Sequence, residues 1–220
     1  SSNTYRVVSL TLDQATNKQP TPTAPGVGAY FRYDVQAPTA AITAPAFAGD
    51  FNALSIVNMA GTASDAATGA SGLTNVQVLL KLETLEAAWN GALTNTFAGD
   101  WDTTGTRFSQ WRTVAGLTSW TQAFPGFAEL ESRRFRLWVR ASDRANNTSA
   151  TPTNTEINND DNPAAVGGQA WTFTYDNTPP VSRATFPPIY TRFVAGSVSG
   201  TAEDAFPTRE PAGIRGMFLR

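Results

Sequence analysis

The sequence predicts an all-β fold, a sandwich of two antiparallel sheets that recurs along the chain. Three observations indicate it: apolar and polar residues alternate with a period of two, turn-forming residues cluster between the alternating segments, and the sequence repeats itself at a long spacing. Alternation places every second side chain on one face, which is typical of half-buried antiparallel strands. About seven short strands in one repeat predict a two-sheet sandwich.

The alternation of apolar and polar residues predicts the position of individual strands. It is clearest in 76–82 (VQVLLKL) and 135–141 (FRLWVRA). Clusters of Gly, Pro, Asn, Asp, Ser and Thr bound the other apolar segments, because these residues suit turn backbones. Further strands are expected at 40–43, 55–63, 108–114, 120–124 and 169–175. A helical turn is expected only at 82–89 (LETLEAAW).

Internal repeats define the modules. Residues 132–153 align without a gap on 2–23, with Asp143 on Asp13 and Asn147 on Asn17. Residues 168–176 align on 26–34, and 200–204 align on 61–65 with four identical residues. Self-similarity at a long period marks an array of modules. We therefore expect the C-terminal strands of one module at 1–33, a complete module at 34–176 and the N-terminal strands of a third at 177–220.

Composition excludes several functions. The 220 residues contain no cysteine and no histidine, which rules out disulfides, a thiol nucleophile and the commonest general base. The net charge of −2, with 15% charged residues, gives no reason to expect a nucleic-acid partner. No stretch approaches the roughly 18 apolar residues that span a bilayer, so membrane insertion is not expected.

Five motifs resemble tandem bacterial immunoglobulin-like modules of large surface and secreted proteins. They are Tyr33-Asp34 with Pro38, Gly61-Thr62-Ala63 with Asp65, Ser71-Gly72-Leu73, Arg140-Ala141 with Asp143, Ala145 and Asn147, and Tyr175-Asp176 with Pro179 and Pro180. The chain departs from the pattern at Asn146, where glycine is usual. The resemblance implies an immunoglobulin-like antiparallel β-sandwich at the bacterial cell surface or outside the cell. It also implies a non-catalytic spacer, stalk, fibre, coat or adhesin segment, with neighbouring modules of the same or an adjacent chain as partners.

A calcium site is predicted where two modules join. In the sandwich that the resemblance implies, five residues meet at one end: Asp34, Asp65, Asp143, Asn146 and Asn147. The 154–162 segment adds Glu156, Asp160 and Asp161. Calcium takes six to eight oxygen ligands, which Asp and Asn supply. The alternative is structural, because Asp and Asn side chains also bond to their own turn backbone. No contiguous calcium-loop motif is present.

Tryptophans offer a second candidate site. All six lie between positions 89 and 171. Trp89, Trp101, Trp111 and Trp120 could form a platform on which a surface glycan stacks, which requires rings exposed side by side. Alternatively, the indoles fill the core, because each buries a large apolar area.

Three functions follow for comparison. A structural module leads, and an adhesion module that binds carbohydrate or another surface is the alternative. No enzyme is predicted, because the carboxylate pairs Glu83/Glu86 and Glu129/Glu131 have a spacing common on solvated surfaces. Head-to-tail strand addition between subunits is also conceivable, although neither end has a counterpart of residues 81–130.

Overall fold

The chain is built from β-strands, as predicted. A computed structural model describes residues 3–21, 28–52, 54–66, 70–85, 87–94, 96–104, 110–125, 133–150, 170–186 and 197–204. Within these ranges the helical structure is limited to one 3-10 turn, Glu83–Leu85, and one short helix, α1 (Phe97–Asp100). No described helix has the length and apolar character needed to cross a membrane.

The strands are named in chain order. They are β1 (Asn3–Val7), β2 (Ala29–Tyr33), β3 (Thr39–Ala44), β4 (Gly49–Phe51), β5 (Asn58–Ser64), β6 (Leu73–Leu82), β7 (Ala87–Trp89), β8 (Trp101–Asp102), β9 (Arg112–Thr113), β10 (Ser119–Ala123), β11 (Arg133–Asp143), β12 (Ala170–Tyr175), β13 (Val181–Phe186) and β14 (Ser199–Glu203).

The described strands form two larger sheets and two separate ribbons. One sheet has three strands in the order β10-β5-β3. The other has seven, in the order β4-β12-β11-β6-β7-β8, with β9 also paired to β6. The ribbons are β1-β2 and β13-β14. Pairing is antiparallel throughout except between β4 and β12, which run parallel.

One hydrophobic core lies between the two larger sheets. Alternate residues of β6 and β11, such as Val78 and Leu137, point into it from the seven-stranded sheet. Met59 of β5 and Trp120 of β10 enter it from the three-stranded sheet. The alternation read from the sequence therefore corresponds to a core face, because every second side chain of a strand shares a face.

The predicted strands are present, with one correction and three additions. Helix was expected to run to Trp89, but the turn ends at Leu85 and Ala87–Trp89 forms β7. All three residues of β7 are buried and the strand pairs with the end of β6, so tertiary pairing overrides the local helical preference. The short elements β4, β8 and α1 were not predicted. Residues 108–109 and 169 of the predicted strands lie outside the described ranges.

The ribbon β1-β2 repeats the pairing of β11 with β12. Asn3 pairs with Tyr33 and Val7 with Ala29. In the central sheet, Arg133 pairs with Tyr175 and Leu137 with Trp171. These partners are separated by the same spacings as the sequence repeats, 130 residues in the first strand and 142 in the second. The sequence repeat is therefore also a repeat of strand register.

The ribbon β13-β14 repeats the pairing of β3 with β5 in the same way. Val181 pairs with Glu203, as Thr39 pairs with Ser64. Each pair also contains a register shift at the corresponding position, after Ala184 in the ribbon and after Ile42 in the sheet. A β-bulge is a specific local feature, so its recurrence is a stringent sign of structural equivalence.

Candidate functional site

Three of the predicted ligands lie together. Asp34 follows β2, Asp65 follows β5 and Asp143 is the last residue of β11. One carboxylate oxygen from each lies within 4.8 Å of the others. Asp34 and Asp143 are only 6% and 3% exposed, and Asp65 is half-buried. We call these three residues the carboxylate cluster.

Backbone N–H groups of one loop bind two of the carboxylates. The Ser71 N–H donates to Asp34 Oδ2 at 2.6 Å, and the Gly72 N–H donates to Asp65 Oδ2 at 2.7 Å. The Gln36 N–H donates to Asp34 Oδ1 at 3.0 Å. The predicted Ser71-Gly72 motif thus has a physical role: it presents successive donors to the side chains of the linker and of the loop after β5.

The third carboxylate organises its own turn. Asp143 Oδ1 accepts from the Asn147 backbone N–H at 2.8 Å, and Oδ2 accepts from the Asn147 side-chain amide at 2.8 Å. That amide also donates to the Asp34 backbone oxygen at 3.1 Å. Asn147 therefore joins the turn after β11 to the linker that precedes β3. We call this set of bonds the junction network.

Asn146 occupies a left-handed position in the turn after β11, and its role as a calcium ligand stays a prediction. Its φ of +66° lies in the left-handed region, which glycine adopts without strain and asparagine tolerates. Asn146 is exposed, and its backbone N–H donates to the Asp143 backbone oxygen. The side chain that bridges turn and linker is that of Asn147, which the sequence placed in the same loop and which recurs as Asn17. Glu156, Asp160 and Asp161 lie outside the described residues.

The same turns recur in the flanking segments. Asp13 accepts from the Asn17 N–H and side-chain amide, both at 2.8 Å, and Thr16 has φ +68° at the position of Asn146. These bonds lower the pKa of the Asp13 carboxyl, because they favour its ionised form. Asp176 likewise accepts from the Thr178 N–H at 3.0 Å, as Asp34 does from Gln36.

In the carboxylate cluster, negative charges lie close enough to repel one another, and backbone N–H groups donate hydrogen bonds to them. Two unit charges 4.8 Å apart repel by about 3 kcal/mol at an effective dielectric constant of 20. Charge-assisted bonds from the N–H groups offset part of this repulsion. A divalent cation would offset it further, and carboxylate oxygens are the ligands that calcium prefers. Asp34, Asp65 and Asp143 are the residues that would hold such an ion.

The structure does not place the four candidate tryptophans on a common surface. Trp89, Trp101 and Trp120 are buried in the core between the sheets, so no sugar can stack on their rings. Trp111 is half-buried, with the Arg140 guanidinium 4.2 Å from the centre of its ring. Burying an indole removes a large apolar surface from water, and this favours placing tryptophan side chains in the core.

Buried charges cover the outer face of the seven-stranded sheet. Glu83, which was expected on a solvated surface, is buried and forms ion pairs with Arg134 and Arg136. Burial also lowers the pKa of the Arg140 guanidinium, because desolvation disfavours its charge. Leu79, Ala88 and Trp138 form a small apolar cluster on the same face. These groups pack the sheet and contribute no pair of neighbouring carboxylates for acid–base chemistry.

No protein-family model matches the chain, and comparison with curated proteins gives no significant match.

Proposed function

We propose that this chain is part of a tandem array of immunoglobulin-like β-sandwich modules. Its role is structural and non-catalytic, in a long extracellular or cell-surface protein of bacteria such as a stalk, fibre, coat or adhesin. The module at 34–176 sets the spacing between its neighbours. Those neighbours, in the same or an adjacent chain, are its partners.

The recurrence of strand registers carries this proposal. A ribbon equivalent to β11-β12 precedes the central sheets, and a ribbon equivalent to β3-β5 follows them. The last strands of one module thus precede the complete module, and the first strands of another follow it. Such an order is expected of an array, in which each unit is one copy of a supersecondary structure.

The junction network supports a role in spacing. Asp34 lies in the linker between β2 and β3, yet its carboxylate binds the loop at Ser71 and its backbone oxygen binds Asn147. Asp176 begins the corresponding linker after β12 and makes the same bond within its turn. Pro179 and Pro180 then restrict the backbone of that linker. Bonds of this kind limit the angles available between successive modules.

The pairing of β4 with β12 suits a module that resists extension. These strands lie near the start and the end of the module and run parallel, with further bonds from Ala48 N–H to the Thr172 oxygen and from Asp176 N–H to the Phe51 oxygen. A pull on the two ends of the module shears this pair. Its hydrogen bonds then share the force instead of breaking one after another.

Single-molecule force spectroscopy tests the proposal. The chain contains no cysteine, so a cysteine added at each terminus provides unique attachment points. We expect one main unfolding step with a length gain on the order of 450 Å, from about 140 residues at 3.3–3.6 Å each. The ribbons should extend earlier at low force. Unfolding in several small steps, with none near this length, would contradict a single mechanical module.

A further inference from the structure

Arg140 and Trp111 form a stacked pair on the outer face of the seven-stranded sheet. The Arg140 guanidinium lies 4.2 Å from the centre of the Trp111 ring, and its Nε donates to Gln77 Oε1 at 2.8 Å. All three residues are half-buried. The indole and the neutral amide hold the planar guanidinium in one orientation without neutralising its charge.

Arg140 has no counter-ion in the described part of the chain. Its hydrogen-bond and ring contacts are those with Gln77 and Trp111, and none of the described carboxylates pairs with it. Its two terminal nitrogens have no hydrogen-bond partner there, and both are accessible to solvent. Charges that are partly removed from water are usually paired. The free N–H groups therefore form an unoccupied donor pair whose geometry matches a carboxylate.

The internal repeat distinguishes Arg140 from another arginine of the same strand. Arg136 forms a buried ion pair with Glu83, and in the alignment of 132–153 on 2–23 it recurs as Arg6. Leu10 stands at the position of Arg140 in the same alignment. The arginine without a carboxylate partner is thus a feature of this module and not of the repeat.

The surrounding charges favour an anionic ligand. The central strands β6 and β11 direct four cationic side chains towards this face, Lys81, Arg134, Arg136 and Arg140. One carboxylate, that of Glu83, lies among them. Asp102, on the edge strand β8, already accepts hydrogen bonds from two neighbouring side chains. The centre of the face is therefore cationic although the whole chain has a net charge of −2, and such a local excess attracts anions.

The neighbours of Arg140 suit a sugar that carries the carboxylate. Asn75 and Ser142 pair one position further along the same face as Gln77 and Arg140. Amide and hydroxyl groups both donate and accept hydrogen bonds, as the hydroxyl groups of a sugar do. The exposed part of the Trp111 ring offers an apolar surface to the C–H groups of a sugar ring.

We propose that Arg140, positioned by Gln77 and Trp111, binds the carboxylate of an acidic sugar such as a uronic acid. The two terminal nitrogens of the guanidinium donate parallel hydrogen bonds to the two carboxylate oxygens. The neighbouring amide and hydroxyl groups bind hydroxyl groups of the ring. This site goes beyond the structural role, because it gives the module a ligand on a sheet face that the junction network does not use.

An NMR titration of the ¹⁵N-labelled chain with glucuronate tests the site. The reporters are the Nε–H of Arg140 and the indole N–H of Trp111. We expect both signals to shift saturably with glucuronate and to stay in place with glucose, which has a sugar ring without a carboxylate. Acetate, which has the carboxylate without a ring, should bind more weakly. Signals that do not respond to glucuronate overturn the proposal, and equal affinity for acetate refutes the assignment to a sugar.

Variants separate the contribution of Arg140 from that of general charge. Arg140→Gln should weaken glucuronate binding on the order of tenfold or more, because a charge-assisted pair is lost. Arg140→Lys keeps the charge but loses the planar donor pair, so its affinity should lie between the two. Arg144→Gln removes the same charge from the exposed turn after β11 and should bind as the wild type does.

Urea transitions of the variants verify that they fold. Equal affinity of the wild type and a folded Arg140→Gln overturns the proposal, as does an equal loss in Arg144→Gln. If Arg140→Gln does not fold, the shifts of the two reporters in the wild type decide the question. The single unfolding step under force is independent of this site, so failure of the ligand proposal leaves the structural role in place.

Discussion

Replacing Asn147 with alanine is the most direct test of the junction network. The substitution removes one side-chain amide and leaves the backbone N–H bond to Asp143 in place. Two bonds are lost: one to Asp143 Oδ2 at 2.8 Å and one to the Asp34 backbone oxygen at 3.1 Å. Asp143 is buried, so water replaces the lost donor poorly.

The expected cost follows from these two bonds. A hydrogen bond to a charged group contributes about 1.5–3 kcal/mol, and a neutral one contributes about 0.5–1.5 kcal/mol. We therefore expect Asn147→Ala to lower the free energy of unfolding by about 2–4 kcal/mol. A loss of this size is a large fraction of the stability of a typical domain.

Urea denaturation followed by tryptophan fluorescence measures this loss. All six tryptophans lie between positions 89 and 171, so the signal reports the unfolding of the segment that forms the two larger sheets. Asn17→Ala is the matched control, because it removes the same pair of bonding groups from the same turn in a flanking segment. We expect the control to leave the midpoint of the transition unchanged.

The outcome that refutes the reasoning is equally specific. If both variants shift the midpoint by the same amount, the bond from Asn147 to the linker contributes nothing to the module. A loss below about 0.5 kcal/mol for Asn147→Ala would lead to the same conclusion, because surface substitutions fall within that range.

Three further predictions follow. Gly61→Ala should lower the free energy of unfolding by about 2–3 kcal/mol, because a Cβ at position 61 would lie 2.0 Å from the Ala41 oxygen and 2.4 Å from the Trp120 ring. The control Gly200→Ala, in a ribbon without tryptophan, should leave the fluorescence transition unchanged. Calcium bound at the carboxylate cluster should raise the melting temperature of the wild type but not of Asp65→Asn, a variant that keeps an acceptor for the Gly72 N–H. A wild-type melting temperature unaffected by saturating calcium would contradict the predicted site. Asn17→Ala should raise the pKa of Asp13 in an NMR titration, because hydrogen bonds from Asn17 lower that pKa. The stabilisation that ionised Asp13 gives its turn is present above the unfolded-state pKa and is lost as the pH falls through the folded-state pKa.

Local patterns gave the strands and their order. The alternation in 76–82 and 135–141 is a property of neighbouring residues, so it predicts β6 and β11 without knowledge of their partners. The repeat spacings likewise predicted an equivalence that the registers of the two ribbons reproduce. Asp34, Asp65 and Asp143 were expected to meet because, in the immunoglobulin-like sandwich that the resemblance implies, the segments that carry them lie at one end of the fold.

Other features depend on residues distant in sequence. Ala87–Trp89 reads as helix locally but pairs with β6, and Glu83 reads as a surface residue but meets two arginines across the sheet. The choice between Asn146 and Asn147 as the bridging side chain also depends on where the linker passes. The type of such a residue predicts only its usual environment, whereas its role is determined by the residues that pack against it.

The sequence by itself determined that this chain is all-β and that it repeats. The period-two alternation depends only on neighbouring residues, and the repeats are found by comparing the sequence with itself. Neither requires knowledge of which strands pair. Only the tertiary structure decided which tryptophans are buried, which amide bridges turn and linker, and which apolar faces remain exposed. These depend on the packing of one sheet against another, because burial is a relation between distant parts of the chain and no single segment encodes it.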